Sequence, residues 1–407
     1  MPAENNGNGN SRSENQEIGL MKKNYRIADK GSDRYVVGEM TQFDQKNEMF
    51  KRMLWDPELL ELGKKFYKAP VFPTKNTGYR LEDLAMVNAS WYLEHNFGKS
   101  TWGGQRDLYK WDWDGQYSYP HVPSGLKIDL DNPAKITAGI KKVGSFFGAV
   151  KVGVCKMDRR WLYSKGYTKA DGGKPFEFEV PEEYKYAIVL AIEMDYDAIA
   201  CSPESPASAA TGFGYSRMAF AAGLLATYIR GIGYKAIPCG NDTACSIPLA
   251  IDAGLGELGR NCMLITPEYG PRVRLAKVFT NLPLVADRPI EFGVWEFCKT
   301  CKKCAENCPS QALSHGDPIE TPIDKSNREG LLSWHIDAKK CAAFWASNGA
   351  CCSNCIHTCP FNKKSGVLHD TARWGIRNSR MFNRAFVRLD DFFGYGKKKN
   401  SAHFWKV

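Results

Sequence analysis

Cys298, Cys301, Cys304 and Cys308 follow one another at x2, x2 and x3 spacings, and Pro309 closes the run. This is the spacing in which three thiolates grip one cubane iron–sulfur cluster while the fourth, on the next turn, reaches a second cluster. A counterpart is therefore required. Cys352, Cys355 and Cys359, followed by Pro360, repeat the x2 and x3 spacings, and Cys341 lies upstream across a longer insertion. The expected quartets are Cys298, Cys301, Cys304 and Cys359 for one 4Fe–4S cluster, and Cys341, Cys352, Cys355 and Cys308 for the other. Cys351 is an alternative to Cys352 that breaks the x2 spacing. Two zinc sites would need neither the third cysteine of each run nor the terminal Cys-Pro. Two clusters move single electrons. Because the first of these cysteines comes only at position 298 of 407, the long preceding segment points to an enzyme that consumes those electrons, not to a non-catalytic electron-transfer subunit.

The elements that must position such a centre are readable in outline. With 43% hydrophobic and 25% charged residues the composition is that of a globular protein. No apolar run approaches the ~18–20 residues needed to cross a bilayer. The net charge of +10 is spread along the chain except in "GKKK" (Gly396 to Lys399), so no nucleic acid is expected. Residues 1–20 are polar and read as a flexible tail with no signal-peptide core. Residues 21–133 form an aromatic-rich N-terminal unit, densest from Trp91 to Pro120, that reads as a lid or packed wall. Residues 134–290 alternate helix and strand signals. Helices are expected at 136–149, 209–232 and near 247–253. Strands are expected at 150–155, 186–194 (buried on both faces), 234–240, in "CMLITP" and in "RVRLAKVFTN". Residues 291–365 hold the cysteine runs, and 366–407 form a tail too short for a domain. The six cysteines outside the quartets (Cys155, Cys201, Cys239, Cys245, Cys262, Cys351) read as small buried apolar residues.

Several longer stretches carry a resemblance: "SPASAATGFGYSRMA" (205–219), "PCGNDTACSIPLAIDAGLGELGR" (238–260), "LITPEYGPRVRLAKVFTNLPL" (264–284), "FFGYG" (392–396) and the cysteine layout. Together they resemble the corrinoid-dependent reductive dehalogenases from about Lys135 to the C-terminus. The resemblance implies an α/β (α+β) nitroreductase-like core holding a base-off corrinoid of the cobalamin type, with a C-terminal ferredoxin-like domain of two 4Fe–4S clusters. It implies organohalide respiration in which Co(I) attacks or reduces an organohalide and carbon–halogen becomes carbon–hydrogen. Residue by residue, Tyr215 matches the family's proton donor, Arg274 its supporting arginine and Asn241 an asparagine facing substrate. Thr211 and Trp345 match pocket-lining residues. It also implies a membrane-anchor subunit, an upstream electron donor and a place at the outer face of the cytoplasmic membrane. The export signal is missing from this chain, which reads as a mature or recombinant form, and homodimer formation is left open.

Taken alone, Tyr215 in an alanine-rich helix would read as core, Arg272 and Arg274 as one strand face, and Asn241 as a turn residue. If the helix forms, Thr211, Tyr215, Ala219 and Ala222 share a face, and the glycines among them would let a flat macrocycle approach the backbone. An arginine beside the phenol is expected to lower its pKa. The chain has no D-x-H-x-x-G pattern, so histidine ligation of cobalt is not expected. A related corrinoid enzyme, epoxyqueuosine reductase, is the nearest alternative. It places a carboxylate where this chain has Tyr215 and usually carries an RNA-binding extension that this chain lacks.

Overall fold

A computed structural model describes residues 25–99, 105–111, 125–169, 173–364 and 366–406. The expected N-terminal tail, and the part of the aromatic block at 100–104 and 112–120, lie outside the described residues.

At the centre is a four-stranded antiparallel sheet of β1 (Lys151–Lys156), β2 (Tyr186–Glu193), β3 (Ala236–Cys239) and β4 (Val273–Thr280), in the order β1-β2-β4-β3. Period-2 alternation sends Ile188, Leu190 and Ile192 of β2 to one side and Ala187, Val189 and Ala191 to the other. Both sides are dry. On the first, helices α2 (Pro133–Phe146) and α3 (Ser205–Gly231) supply Ile140, Met218, Ala222, Leu225 and Ile229. On the second, α4 (Ser246–Asp252) and the cysteine-bearing segment supply Leu249, Phe292, Phe297 and Trp334. Covering layers on both faces explain why "AIVLAI" is continuously apolar in an antiparallel sheet. Each fully buried Ile or Leu there contributes about 1.5–3 kcal/mol.

The 27-residue α3 begins four residues before the expected start, because Pro206 sits in the first turn, where its missing N–H has no helical partner to lose. Of "CMLITP" only Leu264–Ile265 is strand, paired with Glu257–Leu258. The N-terminal unit is woven into the rest: Arg26–Ile27 pairs with Ile290–Glu291 and Phe43–Asp44 with Tyr163–Thr168, while α1 (Leu81–Leu93) lies along α3. The cysteine runs sit on short helices, α5 (Val294–Thr300), α6 (Lys303–Glu306), α7 (Ala338–Asn348) and α8 (Asn354–His357). The segment after Lys364 forms a helical pair, α9 (Val367–Asn378) and α10 (Asn383–Phe392). No helix among the described residues is long and apolar enough to cross a membrane.

Candidate active site

Tyr215 projects from the middle of α3 and is partly buried. Its Oη accepts a hydrogen bond from Asn241 Nδ2 at 3.0 Å. The turn that presents Asn241 is held from below. Lys277, fully buried in β4, donates to Gly240 O, to Ala244 O (3.1 Å) and to Ser246 Oγ (2.8 Å). Gln45 donates to the carbonyls of Asn241 (3.2 Å) and Asp242 (3.1 Å). Arg274, on β4 opposite Ile192, lays its guanidinium 5.0 Å from the Tyr215 ring centroid, and its Nη2 donates to Thr211 Oγ1 at 3.3 Å. Tyr215, Arg274, Asn241 and Thr211 thus form one constellation.

Arg272 does not share this role. It is buried and bound to Asn362 Oδ1 (2.9 Å), Glu193 and Met194 O (both 2.5 Å), which makes it a structural clamp on the sheet edge. Trp345 stands in a second aromatic group, its ring 5.6 Å from Phe50, which in turn packs on Phe66.

Two expectations are corrected. The helix glycines do not leave a flat floor. A Cβ on Gly212 would lie 2.3 Å from Trp91 Cδ1, one on Gly214 2.9 Å from Arg274 Cγ, and one on Gly223 2.8 Å from Leu108 O. These glycines seat side chains of the site and its wall. Nor is the Tyr215 pKa lowered: burial pushes it above the ordinary tyrosine value, and Arg274 only partly offsets this. Glu94, Glu48 and Cys351 push in the same direction as burial. Desolvation outweighs one cation because most of the water around the phenolate is displaced by the surrounding protein while the arginine approaches from one side.

Trp91, which the sequence places only within an aromatic lid or wall, belongs to the site: its indole stacks on Tyr215 at 5.1 Å and 22° and on His95 at 5.2 Å and 23°. The only available signal was a tryptophan facing a glycine more than a hundred residues away. Gly212→Ala is accordingly expected to destabilise the protein by about 1–3 kcal/mol through overpacking, despite the ~1 kcal/mol that alanine gains over glycine in a helix. Denaturant unfolding measures this. Glu48 and Lys169 were also missed. Burial raises the Glu48 pKa and lowers that of Lys169 to about 8, and Lys169 Nζ donates to Tyr67 Oη at 2.8 Å.

Of the six remaining cysteines, Cys155, Cys201 and Cys239 are buried as expected, whereas Cys245, Cys262 and Cys351 are only partly so. Cys351 faces α3: its N–H donates to Ser208 Oγ at 3.3 Å, and its thiol feels Arg274.

The thiols of Cys298, Cys301, Cys304 and Cys359 line one cavity, walled by Phe297, Pro360 and Phe361. Those of Cys341, Cys352, Cys355 and Cys308 act on one another electrostatically as a second group. Each quartet takes its fourth member from the other run. Burial and neighbouring thiols push Cys301 and Cys341 up to about 12 and Cys352 up to about 11, and burial with the Asp390 charge pushes Cys359 up to about 11. Four such groups become thiolates together only around a strongly positive centre, and that is the donor chemistry of an iron–sulfur cluster. Arg260, also unforeseen, ties the first loop down by donating to Cys298 O (2.8 Å), Cys301 O (3.1 Å), Ser314 O (2.7 Å) and Gly316 O (2.8 Å). Among the described residues, Arg274 Nε beside Tyr215, Ser205 Oγ at the start of α3 and Ser353 Oγ next to Cys352 are buried without a hydrogen-bond partner. These suit a macrocycle rimmed with amides, as a corrinoid is.

Tetrachloroethene reductive dehalogenase of Sulfurospirillum multivorans is 35% identical over 370 residues, 83% of this chain and 72% of that protein. The chain belongs to the reductive dehalogenases. Tetrachloroethene reductive dehalogenase of Desulfitobacterium hafniense is 39% identical over 331 residues, 72% of this chain and 59% of that one. Among solved structures, a catabolic reductive dehalogenase matches with a TM-score of 0.69 at 25% identity. A second, described as suggesting a mechanism for B12-dependent dehalogenation, matches with 0.70 at 25%. They cover 92% and 94% of this chain, which spans about half their length (49% and 50%). No family model matches the chain. A 126-residue stretch, 27% of the chain, is 32% identical to epoxyqueuosine reductase of Bacillus anthracis, far less of the chain than the dehalogenases match. The fold is that of a reductive dehalogenase, an oxidoreductase class that in general depends on cobalamin and iron–sulfur clusters.

Proposed function

We propose that this protein removes halogen from a small organohalide in organohalide respiration, taking up two electrons and one proton to give carbon–hydrogen and a halide ion, with Tyr215 as the proton donor. The observation that carries this is the Tyr215 hydroxyl, fixed by Asn241 and flanked by Arg274, on the helix whose start adjoins the second thiol quartet. The two quartets would hold two 4Fe–4S clusters. A base-off corrinoid would lie against Arg274, Ser205 and Ser353, and when bound these groups supply the electrons that break the carbon–halogen bond.

The chain's own residues handle the proton. Asn241 occupies an acceptor position on Oη with its N–H, which leaves the hydroxyl hydrogen directed elsewhere and strengthens as charge develops on oxygen. Arg274 stabilises the nascent phenolate, and burial keeps the proton in place until the carbon becomes basic enough to take it. Trp91 and the group of Trp345 and Phe50 supply apolar, polarisable walls suited to a halocarbon.

The same reading carries a peripheral position at the membrane with an anchor subunit and an upstream electron donor. Halide release with reduced methyl viologen, screened across chlorinated ethenes, alkanes and phenols, tests the proposal alongside metal analysis. Activity toward at least one class with cobalt and iron both present is expected. Full activity in cobalt-free protein would overturn it.

A further inference from the structure

Helices α9 and α10 leave large apolar side chains in solvent along both helices and the turn between them. Val367 is 87% exposed, Met381 79% and Phe392 82%, and Trp374, Phe382 and Phe393 are each at least half exposed. Scattered exposed apolar residues are ordinary, but a run of this size on two adjacent amphipathic helices marks a contact surface. Residues 366–407 also carry nine lysines and arginines against three aspartates, and so hold most of the chain's net charge of +10. Arg384 and Arg388 are exposed one turn apart on α10, beside Leu389 and Phe392.

We infer that this helical pair is a membrane-docking surface, laid flat on an anionic lipid face with the aromatics and Met381 in the headgroup boundary and the arginines on phosphates. Two observations favour lipid over a protein partner. The exposed apolar groups are mainly aromatic, with arginine alongside, the signature of an interfacial helix. Long arginine stems let the charges reach headgroups while their methylenes stay with the apolar layer.

The location has a functional corollary. The groove between the two helices is floored by Phe297, Pro360 and Phe361, the same residues that wall the cavity of Cys298, Cys301, Cys304 and Cys359. Docking would therefore bring that thiol quartet to the membrane side of the molecule. This deepens the peripheral position proposed above, and its test is separable from that of the dehalogenase reading.

Purified holoprotein is floated with vesicles of phosphatidylcholine alone and with vesicles in which about a third of the lipid is phosphatidylglycerol. Binding to the anionic vesicles is expected to be at least about tenfold stronger, and to weaken with added salt. Arg384→Glu combined with Arg388→Glu, and separately Trp374→Ser combined with Phe392→Ser, should each reduce it about tenfold or more. Halide release with methyl viologen and the iron–sulfur absorbance should stay unchanged in both, which shows that the proteins are folded. No preference for anionic vesicles, or retained binding in both variants, would overturn the inference, as would capture of an acidic protein by this surface without vesicle binding.

Discussion

Tyr215→Phe lowers kcat by about 10²–10⁴-fold, the range lost when a positioned general acid is removed, with a much smaller change in KM. The split follows from geometry. The phenol ring keeps its stacking on Trp91 at 5.1 Å and its place beside Arg274, so the pocket wall is intact, and only the hydroxyl held by Asn241 is gone. A group needed mainly in the transition state shows in kcat and kcat/KM together. Folding stability should fall by no more than about 1 kcal/mol, the usual net worth of one hydrogen bond. Unaltered turnover in the variant would remove Tyr215 from the reaction.

The pH profile separates two accounts of this acid. Had Arg274 dominated, the phenol would ionise early and activity would decline through pH 8 to 9. Burial dominates and holds the pKa above the ordinary value of about 10. The required form is the protonated one, so activity is retained up to the raised pKa and lost only as pH passes through it. No alkaline limb attributable to Tyr215 is expected below about pH 10. Arg274→Lys should lower kcat, because an ammonium cannot both lie flat against the ring and reach Thr211.

Local pattern carried the reading wherever a residue's role depends on its own segment. The spacing of Cys298 to Cys308 announced the quartets, and the unbroken run of β2 announced a strand covered on both faces. Pairing partners were not readable, because β2 joins β1 and β4 across long intervening stretches, and the order β1-β2-β4-β3 depends on contacts that no local window contains. The sign of the Tyr215 shift failed for the same reason: a neighbouring cation can be guessed from strand alternation, but desolvation depends on α1, α3 and β4 closing together. Lys277 was within reach, as the one charge inside "LAKVF"; a lysine in a central strand must find acceptors, and it finds them in the turn that presents Asn241. Cys351 misled because cysteines outside a motif usually are filler, and its position beside Ser208 depends on how α7 and α8 meet α3.

Cys359→Ala should abolish the cluster of the other cysteine run, not that of its own. Iron should fall from about eight to about four per chain, and the reduced protein should lose one of its two paramagnetic signals. A double-variant comparison decides which cluster is lost. Cys359 and Cys301 line one cavity, so Cys301→Ala with Cys359→Ala should remove no more iron than either change alone. Cys352→Ala with Cys359→Ala should remove nearly all, because Cys352 acts with Cys308, Cys341 and Cys355. Non-additivity within a quartet and additivity between quartets is the signature of shared ligation. If each run instead enclosed its own cluster, the two outcomes would exchange. The crossed arrangement also has a mechanical consequence. Each cluster, if bound as proposed, would staple the first cysteine run to the segment around α8, so losing either should loosen both runs, and a cooperative drop in unfolding midpoint should accompany the iron loss.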